Sequence, residues 1–237
     1  ADRRGVLVAG IFQSRFLKVS QLIKHAIESG RLGRVVLGDA YVKWYRDQQY
    51  YDEGGWHGTL PLDGGGTLMN QSIHAVDLLQ WFMGPATRVF GITATLGHRD
   101  IEVEDTATTV IQFANGALGT IEGSTAAYPG FPKKIEIHGT TGSVAAIEDR
   151  LETWNFMKET ATDLKIRKEW GRGTTSSGGA SDPADIGISG HLSQFEDLAN
   201  AITDNKTPAI DGTEAYKAVN LILAIYESAK SGKSVEL

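Results

Sequence analysis

The 237-residue sequence has no cysteine. That excludes disulfides, thiolate nucleophiles and Cys-ligated zinc or iron–sulfur centres. Positive charge is in short supply: 23 Lys and Arg stand against 29 Asp and Glu, a formal net charge of −6. No basic block offsets this, which argues against nucleic acid as a partner. No apolar run approaches the length of a membrane-spanning helix. The N-terminal Ala1-Asp2-Arg3-Arg4 leads into a short apolar stretch, Val6-Leu7-Val8-Ala9, and not into a signal-peptide core. A cytoplasmic location is the expectation. Apolar residues make up 41% and charged residues 22%, enough to bury a sizeable core. At roughly 150 residues per domain the length allows one large domain or two small ones. Glycine is in excess, 28 residues, about 1.7 times its usual ~7% share. It clusters at Gly54–Gly66 and Gly171–Gly190, which predicts shaped loops.

Val6–Phe12 reads as a buried strand, and Phe16–Ser29 as a helix stopped by Gly30. Val35–Tyr45 reads as a strand, Arg46–Gly66 as a long loop and Thr67–Met83 as a helix ended by Gly84-Pro85. The middle is a run of strands near Arg88–Leu96, Thr106–Phe113, Ala117–Ser124, Lys133–His138 and Ser143–Ile147, with turns at Asn115-Gly116 and Thr141-Gly142. Thr153–Trp170 reads as one or two further strands, and Gly171–Ser189 as a functional flap or mobile segment. Two helices follow. In His191–Ile202 the residues Leu192, Phe195, Leu198, Ala199 and Ile202 form one apolar face. The last helix opens at Asp211, with Glu214 at capping-box spacing. Short neighbouring strands joined by tight turns predict an α+β domain: an open, mainly antiparallel sheet with helices packed on one face. The other face is left for solvent or a second subunit.

The segment from Gly64 to Leu79 carries the chemistry. On a continuous helix advancing about 100° per residue, Thr67, Asn70, His74 and Asp77 share an arc of about 80°. Most of the remaining circumference is apolar, so the helix is buried and its polar stripe needs partners, which a ligand cavity would supply. Gly64-Gly65-Gly66 lets backbone approach a ligand closely, and a helix N-terminus offers free N–H groups. His74 suits proton transfer near neutral pH. Asp77, one turn on, is placed to orient the ring. A metal reading of His74, Asp77, Asp63 and His191 lacks a recognised ligand pair such as His-x-x-x-His, so no metal is expected.

The pattern Gly-Gly-Gly-x-x-x-Asn-x-x-x-His-x-x-Asp-x-x-x-Trp, ending at Trp81, resembles the Gfo/Idh/MocA family of oxidoreductases. The likeness extends through Gln13-Ser14-Arg15-Phe16, Glu28-Ser29-Gly30-Arg31-Leu32-Gly33, Phe195-Glu196-Asp197 and Ala224-Ile225-Tyr226-Glu227-Ser228. The resemblance implies NAD or NADP bound mainly by an N-terminal Rossmann domain. It implies a C-terminal α+β domain that supplies most of the substrate pocket and forms homo-oligomers through its open sheet face. The implied reaction is hydride transfer between nicotinamide and a sugar, polyol or nucleotide-sugar hydroxyl or ketone. His74 takes the role of catalytic proton donor or acceptor.

The family often carries Asp four residues before the His, where this chain has Asn70, which can bond a substrate hydroxyl but cannot share a proton. The Gly-x-Gly-x-x-Gly fingerprint and the Glu-Lys-Pro segment are both missing. Residues 1–14 therefore read as the end of an absent Rossmann domain and residues 15–237 as the substrate and oligomerisation domain. On this reading Asn70, Asp77, Lys43, Arg15 and Tyr45 bind substrate, and Arg15 also meets the cofactor at the domain junction. Two other readings stay open: a stand-alone, non-catalytic sugar-binding or scaffold domain, and an NAD-dependent glycosidase of the same fold.

Overall fold

The fold is taken from a computed structural model that describes residues 2–53, 55–171, 179–181 and 187–237. Most of the flap expected at Gly171–Ser189 lies outside the described residues. The framework is one eight-stranded sheet in the order β7-β6-β5-β1-β4-β3-β2-β8. Its strands are β1 (Val35–Lys43), β2 (Ala86–Ala94), β3 (Thr106–Phe113), β4 (Leu118–Ser124), β5 (Lys134–Gly139), β6 (Gly142–Ile147), β7 (Arg150–Phe156) and β8 (Val235–Glu236). All neighbours are antiparallel except β1 and β4, which run parallel. That pair is joined by a long excursion through helices and two strands, because parallel strands cannot be joined by a tight turn. The β3–β4 hairpin turns at Asn115-Gly116, where Gly116 adopts φ +83°, a conformation that favours glycine.

The helices are α1 (Lys18–Glu28), α2 (Gln48–Asp52), α3 (Leu60–Asp63), α4 (Ile73–Met83), α5 (Ala161–Trp170), α6 (Ser189–Thr203) and α7 (Gly212–Ser231). α1, α4, α5 and α7 cover one face of the sheet. The core lies between: Ala40, Val42, Ile121, Ile135 and Ile137 of the strands meet Leu68, Val76, Leu79, Phe82, Ile222 and Ile225. The opposite face carries exposed Leu37, Phe90, Ile92, Val110 and Leu118 at one end. Paired charges, Lys43 with Glu122 and Lys134 with Glu136 and Glu152, sit at the other. Among the described residues no helix is long and apolar enough to cross a membrane.

The α+β class and most strand positions follow the sequence reading, and four local readings need correction. Val6–Phe12 is not a buried strand. Val6, Leu7 and Val8 are about half exposed, and only the end of the segment is anchored, by a bridge from Ala9 to Asp211, hydrogen bonds of the Gly10 backbone to Ile210 and Gln194, and burial of Phe12. Without neighbouring strands a β-prone run has no ladder to join. Thr153–Trp170 splits into the end of β7 and the helix α5, which starts at a capping box between Thr160 and Asp163. The loop Arg46–Gly66 contains α2, started by the Asp47 side chain accepting from Tyr50 N–H, and α3. The helix expected over Thr67–Met83 begins only at Ile73.

Candidate active site

The late start of α4 rearranges the polar stripe. Between Gly66 and Ser72 the chain runs as turns, and Ser72 N–H bonds to the carbonyl of Thr67, five residues back. A five-residue step breaks the 100° phase that set Asn70 and His74 on one face. The glycines are engaged as well. Gly66 N–H and Leu68 N–H donate to the two oxygens of the Glu104 carboxylate at 3.0 and 2.9 Å, and Tyr226 O–H donates to it at 2.9 Å. The donors expected to meet a ligand are spent on a buried side chain. Glycine is required at 66 because a Cβ there would lie 1.7 Å from the Glu104 carbonyl oxygen.

His74 opens onto a cavity of about 100 Å³ on the helical side of the sheet. Its walls come from five directions: Gln13 and Ser14 from the turn before α1, Trp44 from the end of β1, Gln71 and His74 at the start of α4, Lys133 with Glu148 from the β5 and β6–β7 side, and Gly187 with Ser189 at the start of α6. Four of these side chains carry an enclosed polar atom with no hydrogen-bond partner: Gln13 Oε1, Trp44 Nε1, Gln71 Oε1 and His74 Nδ1. Buried polar groups in folded proteins are nearly always paired; Thr67 Oγ1, Gln80 Oε1 and Thr109 Oγ1 are orphaned elsewhere, but these four converge on one cavity, which makes it the candidate site. The His74 ring is packed edge-on against Phe12, centroids 5.7 Å apart. Burial, with the positive charge of Lys133 and a contribution from His191, pulls its pKa down to about 4. The ring is therefore neutral at pH 7. It can accept a proton there, and the near-neutral titration expected from the sequence does not hold.

Asp77 does not orient His74. Arg15 Nε and a terminal nitrogen donate to the two Asp77 oxygens at 2.8 and 2.6 Å, and the other terminal nitrogen donates to Glu214 at 2.8 Å. Burial pushes the Asp77 carboxyl up to about 6 against the pull of Arg15, which leaves the pair ionised at neutral pH. Arg15 is taken up by Asp77 and Glu214, Asp77 by Arg15, and neither lines the cavity beside His74. They staple the turn that carries Gln13 and Ser14 to the helix that carries His74.

Asn70 lies outside the cavity lining and donates through its amide to Asp63 at 2.9 Å. Lys43 points to the opposite face of the sheet, paired with Glu122 at 2.6 Å. Tyr45 follows the same alternation and packs edge-on against Tyr128. The strand reading was one residue out of phase: Trp44, between them, is the side chain that reaches the cavity. Burial of Val42 fixes that phase, because side chains two apart on a strand share a face. Gln71 and Gln13 had a weaker signal, one being three residues before His74 and the other two before Arg15. Lys133 had none, since only the pairing of β5 with β1 and β6 brings it here.

Sheet, helix layer and cavity together define an α+β domain with a polar cavity under its helices. The GFO/IDH/MocA C-terminal domain matches residues 20–145, and the chain belongs to that family. The WlbA dehydrogenases of Chromobacterium violaceum and Bordetella pertussis, solved with NADH and UDP-GlcNAcA, are each 34% identical to this chain at a TM-score of 0.85. The match covers all of this chain and 64% and 65% of theirs. The myo-inositol 2-dehydrogenase of Thermotoga maritima is 25% identical over 95% of this chain. The chain spans 63% of that relative's length. Other relatives include a D-xylose 1-dehydrogenase of Haloferax volcanii, and several solved neighbours hold NADH or NAD.

Proposed function

We propose that this chain is the substrate-binding and oligomerising part of a nicotinamide-dependent dehydrogenase acting on a sugar-like secondary alcohol or its ketone. The observation that carries the reading is the set of four unpaired polar atoms around His74. Gln13 Oε1 and Gln71 Oε1 are acceptors and Trp44 Nε1 is a donor. A ligand that meets both kinds at close quarters is one whose groups donate and accept at once, and hydroxyls do this. Bound nicotinamide supplies the hydride acceptor. The residues here bind the polyol, exclude water from it and, through neutral His74, take the proton from the reacting hydroxyl. The structures bound to UDP-GlcNAcA make nucleotide sugars the first substrates to try.

NAD or NADP would be held mainly by a separate nucleotide-binding domain, because this chain contains no Gly-x-Gly-x-x-Gly turn. Two exposed apolar stretches would suit its docking: Val6–Val8, and the stripe Leu192, Phe195 and Ile202 of α6, which faces outward while Gln194 and Ala201 are buried. The apolar end of the open sheet face is the surface through which homo-oligomers would form. A screen of sugars, polyols and nucleotide sugars on the complete dehydrogenase tests the reading. His74→Ala is expected to lower turnover by ~10²–10⁴-fold, and an unchanged rate in that variant removes His74 from the reaction.

A further inference from the structure

Lys133 and Glu148 form a clamp on the cavity wall. The pair is tied three times: Lys133 N–H donates to Glu148 Oε1 at 2.6 Å, Lys133 Nζ lies 3.2 Å from Glu148 Oε2, and Glu148 N–H donates to the Lys133 carbonyl at 3.0 Å. Both side chains are close to fully buried, at 11% and 8% exposure. Glu148 holds this position from a left-handed backbone conformation, φ +50°, at the tip of the β6–β7 turn. Most such turns use Gly, Asn or Asp, and a long side chain in that conformation is uncommon. Strain of this kind clusters where a side chain is needed for function. Lysine has three donors and no acceptor, and Glu148 takes one. The ammonium shares the cavity with the orphaned acceptors of Gln13 and Gln71 and with His74, whose ring its charge helps keep neutral.

We infer that Lys133 is a substrate-binding residue whose ammonium donates to a substrate hydroxyl oxygen other than the one that loses its proton to His74, and that Glu148 is the positioning residue that aims it. This rests on the reading of the cavity as a polyol site. The pair stands just before β5 and just after β6, on a part of the cavity wall that α4 does not supply. Its carboxylate neutralises the lysine, which lets the charge be buried without an anionic substrate. The expected ligand at this contact is therefore a neutral hydroxyl.

The test is a residue-against-substrate cycle on the complete dehydrogenase. Once a sugar substrate is found, its monodeoxy analogues are assayed with the wild type and with Lys133→Met. One analogue is expected to lose roughly 10-fold or more in kcat/KM with the wild type and to lose nothing further with Lys133→Met. If every analogue loses the same factor in both proteins, Lys133 touches no substrate hydroxyl and the inference falls while the polyol reading stands. If the wild type turns over no sugar at all, both fall. Glu148→Gly is the second variant, since glycine accepts the left-handed backbone without strain. It is expected to raise KM by roughly the factor seen with Lys133→Met while kcat stays within about two-fold. Wild-type KM in that variant would overturn the positioning role of Glu148.

Discussion

Two polar regions lie within a few residues of one another at the start of α4, and they differ in one respect. Around Gly66 the Glu104 carboxylate accepts from Gly66, Leu68 and Tyr226, so the backbone donors are met, and the unpartnered Thr67 and Ser72 hydroxyls nearby do not line the His74 cavity. Around His74 four polar atoms have no partner. From the sequence both read as ligand-binding features, the glycine run in support of the polar stripe. A satisfied network is architecture: it holds the turn that aims the helix. Unpaired donors and acceptors converging on one cavity are instead groups that a ligand could meet.

The sharpest way to break this contrast is Gly66→Ala. The new methyl group would overlap the Glu104 backbone, which cannot swing aside as a side chain tip would. We expect a loss of more than about 4 kcal/mol, or failure to fold, read by urea unfolding. A tolerated alanine would mean the turn is not the rigid element described. Glu104→Gln comes next. It places an amide N–H₂ against N–H or O–H donors that have no other acceptor. The expected cost is roughly 2–3 kcal/mol of stability in the same assay.

The pH response of His74 tests the other region. Its NMR titration midpoint should fall near 4 and not near the model-peptide value of about 6.5. The folded-state pKa is depressed, so between those two values the unfolded chain holds more protons. Stability should then decline as pH drops from about 6.5 towards 4 and be flat with respect to this group above that window. A midpoint near 6.5 would show the ring open to water. The smallest effect is expected from Lys43→Ala on the far face of the sheet. Its exposed pair with Glu122 contributes at most about 0.5–1 kcal/mol, and kcat/KM should not move. A large kinetic loss in this variant would put the reaction on the wrong side of the sheet in our account.

Legibility followed how local the cause was. Alternating burial and tight turns were visible as β-branched runs and Asn-Gly, so β3 and the β3–β4 hairpin could be read residue by residue. α5 was misread because its weak apolar pattern hid a capping box whose signal is only the pair Thr160 and Asp163. His74 was legible because a histidine on an otherwise apolar helix is conspicuous. Lys43 and Tyr45 were placed at the substrate by the family resemblance, and the period of two puts them both on the other face.

The amino-acid sequence by itself determined the class of the fold, the family likeness and the histidine, since each depends on residue types at short spacing along the chain. Only the tertiary structure decided which polar groups are spent and which are left over. Whether Arg15 meets a substrate or Asp77, and whether the glycine turn meets a ligand or Glu104, depends on partners 62 and 38 residues away. Chain spacing carries no record of those meetings. They are fixed when the sheet and its helix layer close, and that closure brings His74, Gln71, Gln13 and Trp44 around one cavity.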